Sequence, residues 1–122
     1  MELEEYDDLS ELTDWKIARK LVNLHKSAAQ RNIDFELSFN KLKSLMNQKK
    51  CYFTKVPFGV KGTDLAMSID RIDNNIGYID SNVAACTVRI NSKKNNLTFE
   101  DIKILYNKMN QHNIKLKKKQ KF

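Results

Sequence analysis

Between residues 65 and 94 the spacing of apolar residues changes from every second position to a helical one, and no other stretch constrains the architecture so tightly. Leu65, Met67 and Ile69 alternate with Ala66, Ser68 and Asp70, the pattern of a half-buried strand, and such a strand delivers Asp70 and Arg71 at its carboxyl end. The polar loop DNNIGY follows, and its Gly77 is suited to a left-handed turn. Residues 83–88 form a second short apolar strand, and RINSKKNN after them reads as a helix. The predicted order is strand, loop, strand, helix.

Helical periodicity returns on either side of this unit. From residue 13 to about 32, Trp15, Ala18, Leu21, Val22, Ala28 and Ala29 recur at helical spacing, with Ser10 or Thr13 available as N-cap. His25 falls beside that stripe, where packing is the expected role. Ile33, Phe35 and Leu37 alternate with acids as a short extended piece, and Ser38 can cap a second helix carrying Phe39, Leu42, Leu45 and Met46 and ending near Gln48. Residues 51–62, CYFTKVPFGVKG, read as a strand and turns. Thr98 and Asp101 form a capping-box variant opening a last helix with Ile102, Leu105, Tyr106 and Met109 on one face. The chain of 122 residues is therefore expected to hold an acidic segment at 1–14, one α+β domain at 15–112 and a basic tail at 113–122.

Charge sharpens this division. Seven of the fifteen acids and none of the 22 bases lie in residues 1–14, so the other 108 residues carry +14. A body this basic draws polyanions by counterion release, and nucleic acid is the commonest such partner; a solubilising lysine-rich surface is the alternative. The five lysines of IKLKKKQKF, Lys115, Lys117, Lys118 and Lys119 among them, are either a solvated tail or a phosphate-contacting arm. No apolar run is long enough to cross a bilayer, and MELEEYDD lacks the positive start of a signal peptide, so a cytoplasmic protein is expected, with no membrane partner. Cys51 and Cys86 could pair, but in that compartment two free buried thiols are the commoner outcome. Neither has a second cysteine at CxxC spacing, so structural zinc is not expected.

The segment IDRIDNNIGYIDSNVAACTVRINSKK at 69–94 resembles the HNH (ββα-metal, His-Me finger) endonuclease family, particularly small stand-alone proteins of phages and mobile elements that carry Asp-Arg-Ile-Asp in place of Asp-His. The ordered features are Asp70 with Arg71 at the end of the first strand, Asn82 with Val83 opening the second, and Asn91 with Lys94 in the helix. The likeness extends over roughly residues 15–110 through the leading helix, the CYFT segment and the closing Leu97-Thr98-x-x-Asp101 helix. It implies a ββα core at 65–96 with added amino- and carboxyl-terminal helices, gripping one Mg²⁺ or Mn²⁺ through Asp70 and Asn91. Carboxylate and amide oxygens are the hard ligands such an ion prefers. It implies further that Asn82 braces the loop or orients the base position, and that Arg89, Lys93 and Lys94 meet phosphate. Zinc-knuckle relatives carry cysteines where this chain has Thr54, Thr87 and Ile90.

Arg71 stands where the family places the histidine that deprotonates water. A guanidinium stays protonated at any working pH, so Arg71 can bind phosphate but cannot be the general base. Asp73 is the nearest carboxylate for that task. The resemblance thus implies a metal-dependent endonuclease acting on DNA, with Asp70, Arg71, Asp73, Asn82, Asn91 and Lys94 as its catalytic set. The alternative is a catalytically impaired module that binds nucleic acid or a nucleic-acid-processing protein. Taken alone, Asp70 or Asn91 could equally cap a turn or a helix.

Overall fold

The computed structural model describes residues 12–112. Helix α1, Asp14–Gln30, begins at Thr13, whose hydroxyl accepts from the Lys16 amide at 3.3 Å; Ser10, the other expected cap, lies outside the described residues. It ends in a Schellman motif: the Asn32 amide donates to Ala29 O at 3.1 Å and the Ile33 amide to Ala28 O at 2.8 Å, with Asn32 at φ 56°. Asparagine tolerates that left-handed conformation better than most side chains. Ile17 and Ala28 bury the inner face.

The turn feeds β1, Phe35–Glu36, which pairs in parallel with β3, Tyr78–Ile79. Helix α2, Phe39–Met46, packs on α1 through the buried Leu42 and Leu45, each such side chain stabilising the fold by roughly 1.5–3 kcal/mol. Ser38 caps α2 by accepting from the Lys41 amide at 3.1 Å. Its own amide and hydroxyl donate to the Asp80 carboxylate at 2.8 and 2.7 Å, which holds that carboxyl below its ordinary pKa.

Strands β2, Met67–Arg71, and β4, Val83–Thr87, form an antiparallel hairpin in which Ser68 faces Cys86 and Asp70 faces Ala84. Side chains alternate, so Ile69, Val83 and Ala85 enter the core with α1 and α2. Ser68, Asp70, Ala84 and Cys86 take the other face, where α3, Val88–Lys94, packs on both strands. The small Ala84 and Cys86 leave room for that approach. Thr87 is the last strand residue and the cap of α3, accepting from the Ile90 amide at 3.3 Å. The architecture is α+β, with the hairpin running directly into a helix.

Two expectations need correction. Gly77 is not left-handed; its φ is not positive. Glycine is required there by the β1–β3 contact, because a Cβ would lie 2.4 Å from Asp34 O. Residues 51–62 contain no strand, only turns and a single bridge between Lys50 and Pro57; Tyr52, Phe53, Val56 and Val60 lie on the surface, and Phe58 packs against the core from a turn instead of a sheet. Helix α4, Phe99–His112, opens with the capping box, the Thr98 amide donating to Asp101 Oδ2 at 3.1 Å and the Asp101 amide to Thr98 Oγ1 at 3.0 Å. It nevertheless buries none of its residues, so its apolar face adds nothing to the core. No helix among the described residues is long and apolar enough to cross a membrane.

Candidate functional site

Where β2 ends and α3 crosses the hairpin, an open cleft of about 430 Å³ is lined by Asp70, Arg71 and Asn91, joined by Arg31, Asn74 and Asn95. Asp70 is 7% exposed. Burial raises its pKa, against the attraction of Lys94 and of Arg71. The Lys94 ammonium lies 3.3 Å from Asp70 Oδ2; that oxygen is buried and accepts no hydrogen bond. Asn91 donates from its amide nitrogen to Ser68 Oγ at 2.7 Å, which commits the nitrogen to β2 and leaves the amide oxygen as the group available to a ligand.

Lys94, expected to meet phosphate, is turned inward. It donates to Arg71 O at 2.6 Å and Asn74 Oδ1 at 2.9 Å as well as pairing with Asp70. Arg89 and Lys93 are exposed but lie four residues apart on the face of α3 opposite Asn91, outside the cleft. Lys115, Lys117, Lys118 and Lys119 lie outside the described residues.

The loop between β2 and β3 is fixed by Asn82, which is buried. Its amide oxygen accepts from the Asp73 amide at 2.9 Å, and its amide nitrogen reaches the carbonyls of Asp73, Gly77 and Ile76 at 3.0, 3.0 and 3.3 Å. Asp73 does not line the cleft. Its carboxylate accepts the Asn75 amide at 2.9 Å in a turn of its own. Arg71 donates to Asn74 O at 2.9 Å and Ile76 O at 3.2 Å, and its guanidinium lies 5.6 Å from the Tyr78 ring centroid.

Arg31 and Asn74 had no place in the sequence reading. Arg31 follows α1 and donates to Tyr78 Oη at 2.9 Å, so the β1–β3 pairing draws a second guanidinium to the cleft beside Arg71. Asn74 donates to Asn95 O at 2.6 Å and Leu97 O at 2.8 Å, tying the loop to the end of α3. The only available signal was the pair of Asn-Asn steps at 74–75 and 95–96. His25 is away from the cleft, its ring stacked on Phe35 at 4.8 Å.

Cys51 and Cys86 are free and fully buried. Burial pushes the Cys86 thiol up to about 12, with Asp70 and Cys51 adding to the effect. Burial raises Cys51 too, but the Thr54 hydroxyl and the amides of Thr54, Thr87 and Phe53 outweigh it, and its pKa falls to about 7. Thr54 thus hydrogen-bonds the sulfur it would accompany in a CxxC knuckle. Among the described residues no group of three His, Cys, Asp or Glu side chains is placed to hold a metal ion. An ion at the cleft would rest on Asp70 and Asn91 alone, with water in most of its shell, and would have to displace the Lys94 ammonium that lies 3.3 Å from the buried Asp70 Oδ2.

The chain is 37% identical over 87 residues to an uncharacterized 29.0 kDa protein in the dda-modA intergenic region of Enterobacteria phage T4. The match takes in 71% of this chain and 35% of that protein, so the chain spans about a third of its relative's length. No family model and no solved structure matches the chain.

Proposed function

We propose that the chain is an HNH-like, divalent-metal-dependent nuclease of phage type, working on DNA inside a bacterial host cell. The observation that carries this reading is the convergence, in one cleft, of a buried carboxylate at the hairpin end, an amide from the following helix and two guanidinium groups. Asp70 and Asn91 would hold Mg²⁺ or Mn²⁺, which when bound neutralises phosphate charge and acidifies water. Arg31 and Arg71 would hold the phosphodiester by charge-assisted hydrogen bonds. Asn82 keeps the loop that follows Arg71 closed against the hairpin.

The same cleft supports a second reading, a module that binds nucleic acid without cutting it. No histidine lines the cleft, Asp73 is engaged in its own turn, and the Lys94 ammonium already faces Asp70. Incubation of supercoiled plasmid with the protein in Mg²⁺, Mn²⁺ or EDTA separates the two. A nuclease nicks slowly, loses activity in EDTA and in Asp70→Ala, and gains about 10²-fold or more in Arg71→His if a general base is all that is missing. Melting curves control for the two loop hydrogen bonds that Arg71→His gives up. Absence of cleavage by wild type and Arg71→His under either metal rejects the nuclease and leaves the binding module.

A further inference from the structure

On the far edge of the hairpin lies a second depression, larger than the cleft. It is a groove of about 640 Å³ between the end of α2, the turn at 49–55 and the outer edge of β4. Among the described residues, Lys41, Lys49, Lys50 and Lys55 line it and no acidic side chain does. Asp80 lies close enough to feel the charge of Lys41, so one lysine is partly compensated. Tyr52 lines the same groove and is 56% exposed; Phe53, next in the chain but outside the lining, is 39% exposed. Single exposed aromatics need no explanation. Two adjacent ones, set edge to face at 5.2 Å among four lysines, form a different surface.

The turn that presents them is well fixed. The Cys51 amide donates to Val56 O, the Lys55 amide to Cys51 O and the Tyr52 amide to Ala85 O, each at 2.9 Å. Lys55 takes a left-handed φ of 64°, and its ammonium lies 5.4 Å from the Tyr52 ring centroid. Charge and a flat apolar face are therefore held side by side on a rigid support. Ala84 lines this groove and pairs with Asp70 in the hairpin, so cleft and groove flank the same two strands.

We propose that this groove binds unpaired nucleic acid, with backbone phosphates on the lysines and a base stacked on Tyr52. Lysines alone would serve duplex and single strand alike. An accessible aromatic ring favours the single strand, because only unpaired bases offer their faces. The inference rests on the nucleic-acid part of the reading above and needs neither metal nor hydrolysis.

The test is anisotropy of a labelled oligothymidylate in EDTA over a salt series, with a hairpin duplex of equal length for comparison and melting curves for every variant. Tyr52→Ala should weaken oligothymidylate binding about 5- to 150-fold and leave the duplex unchanged, while Tyr52→Trp restores affinity. Replacing the four lysines together by glutamine should lower the log–log salt slope by about 3, at roughly 0.7 per phosphate contact on a single strand. Unchanged oligothymidylate binding in the lysine variant overturns the proposal. Loss in that variant without loss in Tyr52→Ala overturns it too, by reducing the groove to a general polyanion surface, as does equally tight binding of polyglutamate. Plasmid cleavage is read separately: a protein that cuts but shows no Tyr52 effect keeps the nuclease and loses the groove. One that never cuts but shows the Tyr52 effect keeps the groove and loses the nuclease.

Discussion

Helices α3 and α4 stand on opposite sides of a distinction that sequence patterns blur. Helix α4 has 14 residues, a reciprocal capping box and a continuous apolar face, yet every one of its residues is exposed. Helix α3 has seven residues, none of them buried by area, yet it is bound into the molecule at both ends. Thr87 joins it to β4, Asn91 bonds to Ser68, and Lys94 reaches Arg71, Asn74 and Asp70. Helix propensity and amphipathicity make a helix possible; long-range polar contacts decide whether it is held to the fold. In this chain the weaker helix by local criteria is the one that builds a cleft.

The comparison breaks most readily at Asn82, the side chain that closes the loop beneath α3. Asn82→Ala removes the bonds of its amide oxygen and its two N–H donors and strands the Asp73 amide, a loss of about 4 kcal/mol at roughly 1 kcal/mol for each of those three groups and for the orphaned donor. A fall in melting temperature of at least 15 °C or so should follow. Hydrogen exchange should also quicken at residues 72–77 and in α3 while α4 is unaffected. A loss under about 1 kcal/mol would mean that the loop is held by the Arg71 and Asn74 contacts instead, and that Asn82 only fills space.

Much of this was readable beforehand. The alternation ending at Asp70 and the caps at Thr13, Ser38 and Thr98 are local, and a local signal survives in sequence; the change from strand to helix, read after Val88, falls one residue earlier, at Thr87. Arg31 was not readable, because it reaches the cleft only through Tyr78, 47 residues away. The reason for Gly77 was hidden for the same cause: the β1–β3 contact, not the turn, excludes a Cβ. Lys94 was misjudged in direction; a lysine at helical spacing shows its charge but not whether the ammonium turns outward to phosphate or inward to a carboxylate. The groove at Tyr52 was masked because its aromatic residues resemble a strand.

A smaller effect, and one that sharpens the comparison, is expected at Lys94. Lys94→Met leaves Asp70 buried without its cation and should cost about 3 kcal/mol near pH 8, at the lower end for a broken buried pair. The sign with pH follows from the Asp70 pKa, already raised by burial and held down chiefly by Lys94. An acid whose folded pKa is raised contributes stability that is present below its unfolded value and lost as pH rises through the folded one. Removing Lys94 raises the folded value further, so the penalty should shrink on acidification and be smallest below the ordinary aspartate value of about 3.9, where the unfolded chain too becomes mostly neutral at Asp70. Melting curves of both proteins from pH 4 to 8 give the answer; a penalty independent of pH would place the contribution of Lys94 in its bonds to Arg71 O and Asn74 Oδ1. If the cleft takes Mg²⁺, the ion should stabilise Lys94→Met more than wild type.

The smallest effect is the one the comparison most needs. Leu105 and Met109 lie four residues apart on α4 and are 48% and 59% exposed. A charge on that face removes little buried area, so Leu105→Glu and Met109→Lys should each change stability by no more than about 0.5 kcal/mol, the range of ordinary surface substitutions. At equivalent helical spacing in α1, Ile17 is fully buried, and Ile17→Ala should cost about 3 kcal/mol by the transfer and cavity terms for a core aliphatic residue. Chemical denaturation of the three variants at one pH makes the comparison direct. Equal losses in α1 and α4 would show that the α4 face is covered in solution and that amphipathicity alone had been the better guide. A loss confined to Ile17 would show that α4 is a helix by its own sequence and an accessory to the fold by its contacts.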